Sequence, residues 1–349
     1  MKRLTYILMG VLFLLYYICY QGVLSHIVFY HEEHHLFLFS NLYFHQCIQS
    51  EGWLGYLTNF IIQFFYIPSL GSAILALMLT LIYWFVNRII KILSGKNDLL
   101  QLSLIPSLSF FFYTMSADHS LSVVTGGFLL LFLLYVILFL LQYYYSLFPF
   151  FNIPRISNKY IRFVLSAICL AGYTGYGFYH FIHSYNRSER IMLKTEQLVK
   201  SGEWEKVLEY TNGYLMTGRS NQLISYFHHL ALYHTGQLPY RLLDYPQKQG
   251  VKGLYFPWNS DSRESEYGHI LYEELGYINE AQRWEFESMV VWGETAPHLI
   301  NLARYNIVNH RPLVAQRFIN KLKQSLFYRE AALELESLVN GGKVPGLRN

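Results

Sequence analysis

The sequence predicts an all-α protein in two parts: a five-span transmembrane helical bundle over residues 1–185, then a domain of short helical hairpins over residues 186–349. Three observations predict it. Hydrophobic residues make up 53% of the 349 residues and charged residues only 14%, against roughly 25% in ordinary soluble domains. The charges are unevenly spread: residues 1–185 hold 8 Lys+Arg and 5 Asp+Glu, and residues 186–349 hold 19 and 18. The second part also repeats a helix–turn–helix pattern at spacings of 34, 40 and 34 residues, the mark of a stacked array.

Composition excludes some partners. A net charge of +4 with no basic block gives no footprint for nucleic acid. The 31 Tyr and 26 Phe suit rings at membrane–water interfaces. Cys19, Cys47 and Cys169 have no paired spacing, so no structural disulfide is expected. No cofactor is expected either, because the chain has no phosphate-cradling glycine loop, no nucleophile elbow and no Cys-x-x-Cys.

Each span has its own signal. Lys2 and Arg3 precede an apolar run over 4–29, too long for a signal-peptide core and followed by further spans. The stretch 53–66 is apolar but carries Thr58, Asn59 and Gln63, and reads as an interfacial helix. Pro68 opens a span over 69–86, closed by Arg88, Lys91 and Lys96. Spans follow over 99–115, over 121–145 with Tyr143, Tyr144 and Tyr145 at its end, and over 161–182, where Ala171, Gly172, Gly175 and Gly177 allow close helix approach.

Charge sets the orientation. With five spans, Lys2, Arg3, Arg88, Lys91, Lys96, Arg155, Lys159 and Arg162 all fall on one side. The opposite loops carry Glu32, Glu33, Glu51 and Asp118. The positive-inside rule then makes the N-terminus cytoplasmic and residues 186–349 extracytoplasmic, in the inner membrane.

The hairpin turns fall at Gly202, Gly236, Gly276 and His310–Pro312, each a helix stop or start. This pattern resembles the tetratricopeptide repeat, with Ala281 and Ala315 at its small crossing position and Tyr272 at an aromatic position of its first helix. The resemblance implies a concave surface for a protein partner through residues 186–349. The longer middle spacing reflects an insert, 245–262, with Tyr245, Tyr255, Phe256 and Trp258. These rings either pack on neighbouring helices or anchor a partner.

Two patterns hint at chemistry. His31-Glu-Glu-His-His35 matches the His-Glu-x-x-His spacing of zinc peptidases, with His31 and His35 as ligands, and reads otherwise as an interfacial polar cluster. Acids after the first span (Glu32, Glu33) and Asp118–His119 in a short outer loop form a layout that resembles membrane glycosyltransferases using lipid-linked sugar donors. That resemblance implies Glu32 or Glu33 as a base and Asp118 on the metal or phosphate side. The whole chain, through Glu33-His-His-Leu-Phe-Leu-Phe39, Gly52-Trp-Leu-Gly-Tyr56, Gln63-Phe-Phe65, Leu302-Ala-Arg-Tyr305 and Ala315-Gln-Arg-Phe318, resembles an uncharacterised bacterial family of multi-pass membrane proteins with a tetratricopeptide-like C-terminal region. The function expected is display of a helical-repeat domain for protein–protein interaction or assembly, with the sugar-transferring reading as the alternative.

Overall fold

The computed structural model describes residues 2–145, 149, 158–259, 263–341 and 343–347. Arg155 lies outside the described residues, as do the side chains of Lys2, Arg3, Tyr145 and Lys159. Among the described residues the protein is all-α, 77% helical and without strands. It forms two compact units, Met1–Val28 with Glu51–Asn186, and Phe29–Ser50 with Arg187–Asn349.

In chain order the first helices are α1 (Lys2–Gln21), α2 (Ser25–His34), α3 (Asn41–Ser50), α4 (Gly52–Ile62), α5 (Pro68–Ser94), α6 (Leu104–Tyr113), α7 (Leu121–Tyr145) and α8 (Lys159–Ser184). Among the described residues four stretches are long and apolar enough to cross a membrane: Leu4–Gln21, Pro68–Ser94, Leu121–Tyr144 and Tyr160–Ser184. In the first unit α5 is central and packs against α1, α6 and α7. Gly71 permits its start to press on the turn Gln63–Tyr66, since a Cβ there would lie 2.9 Å from the Phe65 Cα.

The helix ends differ from those the sequence predicts, for local reasons. The run over 4–29 is broken after Gln21, and α2 begins at Ser25, where the Leu24 amide bonds back to the Cys19 carbonyl at 2.8 Å. α5 continues past Val86 to Ser94 and stops at Gly95, in the left-handed region at φ 67°. Its polar continuation is accommodated because Asn87 is buried and donates to Ser103 Oγ at 3.4 Å. Where a span over 99–115 is predicted, the helix covers only Leu104–Tyr113. Pro106 fits only a first turn. Ahead of it Gln101 sits at φ 52°, and the Asp98 carboxylate accepts the Ser103 amide at 2.8 Å. The polar groups beside α6 are met within the unit: Tyr16 pairs with Ser107 at 2.8 Å, Ser107 donates to the Leu79 carbonyl at 2.9 Å, and Tyr20 pairs with Thr114 at 2.5 Å.

The second unit continues with α9 (Arg187–Lys200), α10 (Trp204–Met216), α11 (Gln222–His234), α12 (Leu238–Arg241), α13 (Gly268–Glu274), α14 (Ile278–Trp292), α15 (Ala296–Val308), α16 (Pro312–Leu322) and α17 (Arg329–Leu338). The first eight form four hairpins, each closed by the same turn. In each, a residue at positive φ follows the first helix: Gly202 (69°), Gly236 (70°), Gly276 (78°) and His310 (54°). The next amide then bonds back five residues, Glu203 to Leu198, Gln237 to Leu232, Tyr277 to Tyr272 and Arg311 to Asn306, at 2.8–3.0 Å. This is the Schellman closure, which satisfies the orphan carbonyls of a helix end.

The second hairpin is incomplete. α12 lasts one turn, and Tyr245, held extended (φ −112°, ψ 149°) before Pro246, ends any helical course. The chain then runs through short 3-10 turns at Gly250–Gly253 and Arg263–Tyr267.

Phe29–Ser50 belongs to this second unit, a correction to the division at residue 185, which leaves it in the first loop. Leu36 and Leu38 enter the same core as Leu299, Ala303, Ile319 and Leu335, with Tyr43 against it. The Phe39 amide donates to the Gln324 carbonyl at 2.8 Å. The reason is compositional: Leu36-Phe-Leu38 is an apolar step amid polar residues, and α15–α17 offer an apolar face to receive it.

Candidate functional site

The second unit contains a cleft of about 410 Å³. Its walls come from the ends and faces of first helices: Lys200 of α9, His269 and Glu273 of α13, and His298, Asn301 and Arg304 of α15. The 3-10 turn supplies Glu266 and Tyr267, and α2 supplies Glu33 and His34. Two second helices line it as well, through Trp204 of α10 and Glu285 of α14.

Two buried carboxylates organise the charges. Glu196, 1% exposed, accepts Lys200 Nζ at 3.1 Å and Arg263 Nη2 at 3.0 Å. Burial acts to raise its carboxyl, but Lys200 and Arg263 outweigh burial and hold it at about 2. Lys200 also meets Glu33 at 2.7 Å, and these two carboxylates keep its ammonium charged despite burial. The Arg263 guanidinium lies 4.9 Å over the Tyr30 ring.

Glu285, also 1% exposed, sits between two imidazoles, His298 Nδ1 at 2.7 Å and His269 Nδ1 at 2.9 Å. Burial works against its charge, yet His269 leads the interactions that hold it at about 2. The His269 ring is in turn raised above its usual 6.5, because Glu285 outweighs the cost of burial. Around this pair, His34 Nε2 meets Glu266 at 3.3 Å, Arg304 meets Glu273 at 3.0 Å, and His234 meets Glu274 at 3.0 Å.

The residues singled out from the sequence divide between the units. Glu33 lines the cleft. Glu32 accepts a hydrogen bond from the Tyr328 hydroxyl. Burial first, and Glu33 second, push the Glu32 carboxyl up to about 7. Asp118 and His119 belong to the first unit and are exposed, with the His119 ring stacked 4.4 Å from Tyr113.

His31 is buried and its imidazole is held well below 6.5, by burial first and then by His35 and His34. The His35 Nδ1 bonds the His31 carbonyl at 2.8 Å. Among the described residues no group of three or more His, Cys, Asp or Glu is arranged to hold a metal ion.

Of the insert rings, Tyr245 and Phe256 are buried; Phe256 packs 4.4 Å from Tyr226, and Tyr245 lies 4.1 Å from His228. Trp258 meets Trp284 edge-on at 5.0 Å. Tyr255, 44% exposed, is the one of the four that reaches solvent broadly. Three rings therefore act as internal anchors that seat the insert where a full helix is missing.

Glu196, Arg263, His269, Glu285 and His298 escape notice in the sequence. Their signal is a polar side chain at an inward position: Glu196 lies between Leu193 and Leu198, and Glu285 follows Trp284, all of them buried.

A family model described as a family of unknown function (DUF6057) matches residues 1–151 and 132–344. The chain belongs to this family. Searches of the curated proteins and of the solved structures give no match. The DUF6057 match spans both halves of the second unit, the early segment Phe29–Ser50 and the late hairpins, so the cleft lies wholly within matched residues.

Proposed function

We propose that this protein crosses the cytoplasmic membrane five times and displays its second unit, a tetratricopeptide-like stack of hairpins, on the extracytoplasmic face to bind a protein partner. The observation that carries the binding role is the cleft: α9, α13 and α15, each the first helix of its hairpin, contribute to one concavity. In stacked hairpin repeats that side holds extended segments.

Parity supports the topology. Residues 29–50 and 187–349 share one core, so both lie on the same side of any membrane. Between them run three long apolar helices, α5, α7 and α8, an odd number. One more passage is required, and the apolar stretch around α6 supplies it, although ten helical residues span only about 15 Å of a roughly 30 Å core. Irregular backbone is tolerated at that depth where protein covers it, and Ser103, Ser107 and Thr114 are buried. Adding α1 gives five crossings, and with that count every Lys and Arg of residues 1–185 faces the cytoplasm.

The topology is tested with Ser201→Cys in a chain whose three native cysteines are replaced. Labelling by a membrane-impermeant maleimide on intact spheroplasts is expected; labelling only after lysis overturns it. The binding role is tested by a photo-crosslinking residue at Ile300 in cells. A reproducible adduct with one protein is expected, and its absence at wild-type protein levels removes the reading.

The sugar-transferring alternative has one observation in its favour, the Glu32 carboxyl at about 7, poised for proton transfer at neutral pH. It requires that Glu32→Gln, Glu33→Gln or Asp118→Asn abolish a cell-surface glycan while protein levels hold. Wild-type glycans in all three exclude it.

A further inference from the structure

We infer that the cleft takes a cationic side chain, a guanidinium or ammonium presented by an extended segment of the partner protein. This rests on the binding role proposed above and adds the chemistry of the group bound.

Charge is the first argument. Five carboxylates line the cleft, those of Glu33, Glu266, Glu273, Glu274 and Glu285, against the two permanent cations Lys200 and Arg304. Both cations are already engaged, Lys200 by Glu33 and Glu196, and Arg304 by Glu273. An incoming anion finds no uncommitted Lys or Arg in the wall; the carboxylates each meet a Lys, Arg or His as well, but they outnumber the two permanent cations.

Inside the cleft one carboxylate keeps unused hydrogen-bonding capacity. The Glu285 Oε2 atom is buried and receives no well-directed hydrogen bond. The His269 Nδ1, 2.9 Å away, bonds instead to the Glu266 carbonyl at 2.9 Å. Glu285 is fixed by its other oxygen, which His298 holds at 2.7 Å. A buried carboxylate oxygen with unused acceptor capacity favours a charged donor brought in from outside.

The shape of the cleft suits such a side chain. Val199, Ile270, Pro297 and Ile300 give an aliphatic wall for the methylene stem of a Lys or Arg. The unit already solves this problem once within itself: the Arg263 guanidinium is held by a buried carboxylate and a tyrosine face. Glu285 and Tyr267 both line the cleft, a buried carboxylate and a tyrosine ring.

The test uses the full-length protein in detergent and three fluorescein-labelled pentapeptides, Gly-Ser-X-Ser-Gly, with X as arginine, norleucine or glutamate, read by anisotropy. The arginine peptide is expected to bind at least about tenfold tighter than the norleucine peptide. Glu285→Gln should weaken it by about tenfold. Asn301→Arg, which places a resident guanidinium in the cleft, should abolish it while the melting profile stays that of the wild type; Leu313→Arg, fully outside the cleft, should leave it unchanged. The inference is overturned if the arginine and norleucine peptides bind alike, if the glutamate peptide or neutral maltotriose binds best, if no probe binds at about 1 mM, or if Asn301→Arg binds as the wild type does. A failed peptide titration leaves the in-cell crosslink standing, and a missing crosslink with intact peptide binding counts against the partner alone.

Discussion

The Lys200 ammonium lies 2.7 Å from the Glu33 carboxylate, although 167 residues separate them in the chain. The contact joins α2 to α9. Its neighbours repeat the theme, with His34 on Glu266 and the Glu32 carboxylate under the Tyr328 hydroxyl. An early loop is thus a structural member of the late domain, and the first prediction follows from it.

Residues 187–349 expressed alone should be poorly folded, because Leu36 and Leu38 are missing from their core. Fusing residues 29–50 through a flexible linker should restore a cooperative melt. In the full chain, Leu38→Ala should cost about 2–4 kcal/mol, read from the denaturant midpoint of the second unit. A fragment that melts cooperatively without residues 29–50 would contradict this.

The repeated turn gives an asymmetric pair of expectations. Gly202→Ala and Gly236→Ala meet no atom within 4 Å but require positive φ, so each should destabilise by about 1–2 kcal/mol on conformation alone. His310 holds the same place at φ 54°, and His310→Gly should therefore stabilise by up to about 1 kcal/mol. Thermal melts of the three variants decide the matter.

Stability should peak in mildly acid solution. Glu32 is raised from its usual 4.5 to about 7, so its stabilising protonation is complete below 4.5 and lost as pH rises through 7. His269, raised above 6.5, likewise contributes fully below 6.5 and less above its folded value. Glu196 and Glu285, held at about 2, act in the opposite sense, present above 4.5 and lost as pH falls toward 2. His31, held well below 6.5, and His228, held at about 4, are neutral in the fold and take up protons on unfolding below 6.5, so their contribution is lost as pH falls below that value and the maximum is expected near pH 6.5. Glu32→Gln should flatten the decline between pH 5 and 8 by up to roughly 3 kcal/mol, while keeping an acceptor for Tyr328.

Glu196 serves two cations, so Glu196→Gln should cost about 3–5 kcal/mol by leaving Arg263 underpaired in a buried site. Adding Arg263→Met should recover part of that loss. A double-mutant cycle with a coupling under about 0.5 kcal/mol would mean the pair is not coupled.

Much of the hairpin layout was legible because its turns are local. Gly202, Gly236 and Gly276 announce themselves, and the 34-residue register follows. The apolar stretches 69–86 and 121–145 are likewise local signals of length and hydropathy. What sequence reasoning missed depends on distant partners. Nothing near Leu36 marks its place beside Ile319 and Leu335, and nothing near Glu285 reveals His269 and His298. The shortening of α6 was readable in principle at Pro106, but hydropathy averages over such a residue. The four insert aromatics leave two outcomes open in the sequence, and three turn inward because the missing second helix of that hairpin leaves apolar surface on α11 for them to cover.

The seating of Leu36 and Leu38 among α15, α16 and α17 also sets a timetable. At about 5–20 residues per second, the ribosome makes the early segment roughly 15–60 s before the helices that receive it. Through that interval an apolar step waits with its pocket unmade. Completion of this domain is therefore an event of late synthesis, and a chain cut short before α17 would leave its first loop with nowhere to dock.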